Sequence, residues 1–319
     1  MKFQNLFIRK WIGLSLVTLV LLAGCGGGGG EGSTSSNTSP EASSSGVISG
    51  TATKGPVSGA TITAFVINAN GTKGAQIGSG QTDGQGNFSM PVGNHSGPLM
   101  LQMMGGSYMD EATGSRMSMH SNDVLTSIIP HMPPGSIVSG IQITPLTSMA
   151  QSMAQNMSGG MNQTNMNMAN NAVGKYFGVN DILTTHPMDP NVNGTGASAT
   201  HDLRNYGMTI AAMSQYAKNV GMPHSSGMVT AMMNDSSDGR MDGMMAGQSG
   251  MGGGMMESHQ VEIGGGMMGG TMMRADTGTM GLADSMSQFL NSPMNRSGLT
   301  VQDMQNLISK LTTSNGVIQ

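Results

Sequence analysis

Thioethers are the most abundant groups in this chain that could do chemistry. It carries 36 methionines in 319 residues, beside seven histidines and one cysteine, Cys25. A thioether sulfur is a soft donor with no proton to lose, so clustered methionines favour Cu(I) or Ag(I) over harder ions. Two segments are candidates. In Arg116-Met117-Ser118-Met119-His120, the donors Met117, Met119 and His120 are compact enough to surround one ion. The second is a Gly/Met stretch carrying Met244, Met245, Met251, Met255, Met256, His259, Met267, Met268, Met272 and Met273. From Met222 to Met280 there are 15 methionines in 59 residues, against 21 in the other 260, so local density sets this stretch apart. Its glycines forbid a stable amphipathic helix.

Each candidate has a plainer reading. Met149, Met153, Met157, Met213 and Met304 stand where leucine would serve equally well in a helical core. Segment 116–120 reads equally as a solvated strand edge. The Gly/Met stretch reads equally as a low-complexity insertion that sticks to apolar surfaces or absorbs oxidant by reversible sulfoxide formation. Asp235-Ser236-Ser237-Asp238-Gly239-Arg240-Met241-Asp242 gathers three carboxylates round a glycine, but its spacing departs from a calcium loop and lacks the closing glutamate. A helix-terminating turn is expected there. His201-Asp202 is expected to cap the helix that follows. No His-Glu-x-x-His helix, Gly-x-Ser-x-Gly elbow, phosphate loop or Cys-x-x-Cys pair is present, and no acid, base and nucleophile set can be named, so a non-enzymatic protein is expected.

Cys25 closes Leu22-Ala23-Gly24-Cys25 behind a basic segment (Lys2, Arg9, Lys10) and an apolar run from Trp11 to Ala23 that is too short to span a bilayer. The pattern resembles the lipobox of bacterial lipoproteins. That resemblance implies a leader over 1–24, acylation of Cys25 and a place in the bacterial cell envelope held by acyl chains. Gly26 after the cysteine resembles outer-membrane sorting. Residues 25–46 are Gly/Ser-rich and read as a tether with a reach of about 25 Å.

Without the leader, about 295 residues remain, enough for two domains. They hold ten basic and 17 acidic residues, a net charge of −7. That balance argues against nucleic acid and against basic docking to anionic lipid, leaving the acyl chains to bind the membrane. The acylated cysteine leaves no thiol for a disulfide.

The elements that must position any site change character along the chain. From 47 to 120, short β-favouring runs alternate with turns: 47–52, 60–67, 75–81, 88–92 and 98–103, with Asn70-Gly71 and Asp83-Gly84-Gln85-Gly86-Asn87 between them. This predicts a small antiparallel β-sandwich. Ile48-x-Gly50, Gly55-Pro56-Val57-x-Gly59-Ala60-x-Ile62 and Thr82-Asp83-x-x-Gly86-x-Phe88 look like the carboxypeptidase regulatory-like domains, a transthyretin-like class. The resemblance implies a non-catalytic module with protein or glycan contacts.

Over 121–319 the period is helical, giving an α+β fold with a mainly helical second domain and the Gly/Met stretch near 240–275 inside it. Thr144 is the expected N-cap of a helix with Pro145 at its first position and an apolar stripe of Leu146, Met149, Met153 and Met157. Further helices are expected at 164–177, 202–219 and 281–290, with a last one opened by a Thr300/Asp303 capping box. Ile143-Thr144-Pro145-Leu146-Thr147, Tyr176-Phe177-Gly178-Val179 and the run from Phe289 to Thr300 resemble a tail that follows such sandwiches in exported bacterial lipoproteins. The reading is a lipid-anchored scaffold or binding protein without catalytic activity. Its alternative is a soft-metal binder with Cu(I) as cofactor.

Overall fold

Alternation of apolar and polar residues builds the first elements. In Asn87–Gly93, Phe88, Met90 and Val92 point inward and their neighbours outward, the period-two signature of a strand with one buried face. The computed structural model describes residues 45–243 and 278–319, with the backbone of residues 262–263 and 271–272. All of these belong to one unit, Ala42–Gln319. The expected leader, Cys25 and nearly all of the tether lie outside the described residues.

Nine strands come first: β1 Gly46–Ala52, β2 Thr61–Ile67, β3 Lys73–Gln81, β4 Asn87–Gly93, β5 Gly97–Met104, β6 Ser107–Met109, β7 Arg116–Ser118, β8 Val124–Met132 and β9 Ile137–Ile143. One sheet has the order β4-β1-β9 and the other β3-β2-β5-β8, while β6 and β7 pair as a separate ribbon. Ile48, Ile62, Phe88, Leu101, Leu125 and Ile141 fill the space between the two sheets. The sandwich and its predicted turns are present. Gly71 (φ +78°) turns the chain between β2 and β3, and the Asp83 carboxylate accepts the Gln85 and Asn87 backbone N–H groups.

Two expectations need correction. The sandwich does not end at 120, because β8 and β9 belong to its two sheets, and it is not wholly antiparallel, because β9 runs parallel to β1. The helical reading past 120 fails on β8 for a physical reason. This strand is covered on both faces, with Leu125 and Ile129 toward the sandwich and Ile128 toward the helices, so its sequence lacks the alternation of a half-buried strand.

The helices are α1 Pro145–Asn156, α2 Gln163–Phe177, α3 Thr195–Ser198, α4 His201–Asn219, α5 Ser226–Asp235, α6 Gly278–Leu290 and α7 Gln305–Thr313, with the two-residue pair β10 Glu262–Ile263 and β11 Thr271–Met272 between α5 and α6. Thr144 caps α1 as expected: its hydroxyl accepts the Thr147 N–H, and the Thr147 hydroxyl accepts the Thr144 N–H. The sequence predicts the turn that ends α5 but not the extent of the helix. α1 lies along β8, where the Thr126 N–H donates to Ser148 and the Thr147 hydroxyl donates to the Thr126 carbonyl, so the edge of the second sheet is covered. Met100 and Ile128 on the outer face of that sheet join the helical core of Leu146, Met149, Phe177, Tyr206 and Phe289. Val229 of α5 joins the sandwich core. The expected division into a sandwich and a separate helical domain therefore becomes one body of three layers: sheet, sheet and helices.

Candidate functional site

The segment leaving β1 carries Lys54, which is fully buried, and Gly55 (φ +59°) beside it. A Cβ on Gly55 would stand 2.2 Å from the Met109 carbonyl oxygen, so only glycine lets this segment lie against the end of β6. The Lys54 ammonium has three protons and three acceptors. It donates to Glu111 at 2.8 Å, to Ser225 at 3.0 Å, and to Ser214. Asp110 stands 4.0 Å away, and the Tyr108 ring centre 5.0 Å away.

The second layer of contacts closes the cluster. Ser214 on α4 donates to Glu111, and Ser225, just before α5, donates to Asp110. The Tyr108 hydroxyl, 3.1 Å from the Ser225 hydroxyl, accepts the Ser226 N–H at 3.1 Å. All six side chains are buried. Burial by itself would push the Lys54 ammonium to lower pKa. The Glu111 carboxylate outweighs this together with Tyr108 and Asp110, holding lysine above its ordinary value.

A serine, a lysine and carboxylates can form a nucleophilic site when the lysine is neutral and solvent can enter. Here the lysine is held protonated and none of the group is open. The cluster ties the sandwich to α4 and to the start of α5. Sequence reasoning missed it. Its one signal was scarcity: in a chain only 9% charged, a lysine between β-favouring runs and an adjacent Asp110-Glu111 pair are conspicuous.

Against this cluster lies a pocket of about 440 Å³. Gly55, Tyr108, Met109 and Asp110 form the wall it shares with the cluster. Arg116 of β7 lines the sandwich side, and Asp189, Asn191, Met294 and Arg296 line the helical side. The Asn191 amide donates to the Glu111 and Met294 carbonyl oxygens, and Asp189 accepts the Asn191 N–H at 2.9 Å, so that wall is fixed in place.

Three of the expected metal ligands, Met117, Met119 and His120, have side chains among the described residues. Met117 is half-buried on β7, Met119 is buried in the sandwich core, and His120 is exposed. Met272 lies in β11. Met244, Met245, Met251, Met255, Met256, His259, Met267, Met268 and Met273 lie outside the described residues. Among the described residues seventeen methionines are buried, including Met149, Met153, Met213 and Met304, so for these the core-filling role holds. Tertiary structure does bring His224, ahead of α5, to His120: their ring centres are 6.2 Å apart at an interplanar angle of 43°. The buried His224 Nδ1 has no hydrogen-bond partner among the described residues. Among the described residues, no group of three His, Cys, Asp or Glu side chains stands close enough to hold a metal ion.

Segment 235–242 is the expected turn. α5 ends at Asp235, a 3-10 turn covers Ser236–Asp238, and Gly239 (φ +83°) reverses the chain, while Asp235 accepts the Asp242 and Gly243 N–H groups. His201-Asp202 does not supply the cap, because Thr200 holds that position. Asp202 sits in the first turn of α4 and accepts the Asn180 N–H.

The chain matches no protein-family model and no curated protein.

Proposed function

We propose that this protein is a lipid-anchored, exported scaffold or binding protein with no catalytic activity, held in the bacterial outer membrane through acylated Cys25. One observation carries the non-enzymatic part of the reading. The cluster of Lys54, Ser214, Ser225, Asp110 and Glu111 is sealed, and its lysine is held in the protonated form that cannot serve as a base. The lipobox-like Leu22-Ala23-Gly24-Cys25 supports the anchoring, and the regulatory-like motifs of the sandwich support a binding module. Tyr108, the sandwich's one tyrosine, is fully buried and offers no exposed ring for a sugar to stack on, which favours other ligands over glycans. Labelling cells with a palmitate analogue tests the anchor. Wild type should label and Cys25→Ala should not; equal labelling would sink the reading.

A second reading, soft-metal binding, is favoured by the approach of His120 to His224. Two imidazoles bound to one ion through facing nitrogens place their ring centres about 6 Å apart, given metal–nitrogen bonds of ~2.0 Å. The Met117 sulfur lies 3.9 Å from the Tyr108 hydroxyl, which is in contact with Ser225, the neighbour of His224. Titrating the mature protein with Cu(I) against a competing chelator separates the cases. Loss of tight binding in Met117→Leu and His224→Ala places it at this cluster, whereas loss only on removing residues 241–273 places it in the Gly/Met stretch. Affinity no better than that of free methionine ends the reading.

A further inference from the structure

Opposite charges line the 440 Å³ pocket without neutralising one another. The described residues contain four arginines, Arg116, Arg204, Arg240 and Arg296, and two of these line this single pocket from opposite layers. Arg116 donates to the Ser107 hydroxyl at 2.9 Å, which steadies it without satisfying its charge. Neither Arg116 nor Arg296 meets a carboxylate within ion-pairing distance among the described residues, although Asp189 lines the same pocket. In a mature chain with a net charge of −7, two guanidinium groups at one concavity concentrate positive charge there. Negative charge lines the pocket as well: Asp189 is half-buried on the helical wall, and behind Asp110 the sealed cluster sets two carboxylates against one ammonium.

The other large hollow, about 550 Å³, lacks this polarity. Lys73 is its single charged lining residue, and that ammonium is engaged with the Gln102 side chain at 3.2 Å and the face of Phe65 at 4.7 Å.

We propose that the pocket between β7 and the segments carrying Asp189 and Arg296 binds the zwitterionic backbone of an amino acid or short peptide. The carboxylate meets Arg116 and Arg296, and the ammonium meets Asp189. Guanidinium groups present planar paired donors that match a carboxylate, so an arginine pair recognises that end of the ligand by shape as well as by charge. Met109, 43% exposed, and Met294 supply adaptable apolar walls for side chains between the two charged ends. The volume falls in the range of sites that enclose small organic ligands. This assignment rests on the binding reading above and names the ligand class it would serve.

The test uses the mature chain and four probes: trialanine, N-acetyl-trialanine, trialanine amide and inorganic phosphate, each followed by calorimetry. Trialanine should bind most tightly. Blocking either end should weaken binding about tenfold or more, as expected for loss of one charge-assisted contact. Arg116→Ala and Arg296→Ala should each weaken trialanine and N-acetyl-trialanine alike and leave the already weak amide unchanged. Asp189→Asn should weaken trialanine and spare the N-acetyl form. Both arginines are exposed, so the variants should keep the wild-type melting temperature, which the same samples report. Equal affinity for all three peptides, phosphate binding as tight as trialanine, unchanged affinity in both arginine variants, or no binding at all would overturn the proposal. Recovery of a hydrolysed probe would instead overturn the non-enzymatic reading, so the two failures are distinguishable.

Discussion

Lys54 shows how a single side chain can commit a fold. Its ammonium has three hydrogen-bond partners and no exposed surface, so its charge is compensated by geometry that only the folded chain supplies. Removing one member of a buried ion pair strands the others, and Lys54→Met should lower stability by about 3–5 kcal/mol. Adding Asp110→Asn and Glu111→Gln should recover part of that loss, because no unpaired carboxylate then remains buried. Urea unfolding followed by circular dichroism measures both; the chain's one tryptophan, Trp11, lies in the expected leader and gives no signal in the mature protein. The sign of the pH effect follows from the raised pKa. The folded state holds the Lys54 proton more tightly than the unfolded state, so the stabilisation is complete below the ordinary lysine value of about 10.4 and is lost as pH rises through the higher folded value. The buried Tyr206 and Tyr176, both also raised chiefly by burial, act in the same direction. The alkaline limb of wild type should therefore be steeper than that of Lys54→Met, and superimposable limbs would contradict the assignment.

At the scale of elements, the start of α1 joins three parts of the protein. The Thr144 hydroxyl accepts the Thr147 N–H and lies 2.6 Å from the Tyr206 hydroxyl of α4, which donates onward to the Ile182 carbonyl at 2.9 Å. The cap and the contact between helices use the same oxygen. Thr144→Val keeps the shape and removes that oxygen, and it should cost about 1–3 kcal/mol, seen as a lower urea midpoint with an unchanged slope. Thr144→Ser should retain most of the stability. A valine variant as stable as wild type would show that the cap is dispensable. This element was legible because its signals are local: Thr144, Pro145 and Thr147 lie within four residues, and the stripe of Leu146, Met149 and Met153 repeats at helical spacing. β1 to β5 were legible for the same reason. β8 was not, because burial on two faces erases alternation, and β9 was not, because its partner β1 is distant in sequence and runs parallel to it.

Over the whole molecule, the sheet β3-β2-β5-β8 is the shared wall of two cores. One face closes the sandwich, and the other receives α1 and α2 through Met100 and Ile128. Buried methionines run through both cores, where an unbranched, flexible side chain fills irregular gaps between sheet and helix. Abundance of methionine in this chain therefore has a packing explanation wherever a methionine is buried. The amino-acid order by itself determined the strands with one covered face, the Thr144-capped helix α1, the turns at Gly71 and Asp83 and the α+β class, because each depends on interactions among residues a few positions apart. Only the tertiary structure decided that the strands and helices form one unit, that His120 meets His224, and that Arg116 and Arg296 line one pocket. It alone assembled the site around Lys54, whose partners stand 57, 160 and 171 positions away. Contacts across such separations leave no periodicity or spacing in the chain, since they exist only after loops are closed and layers are packed.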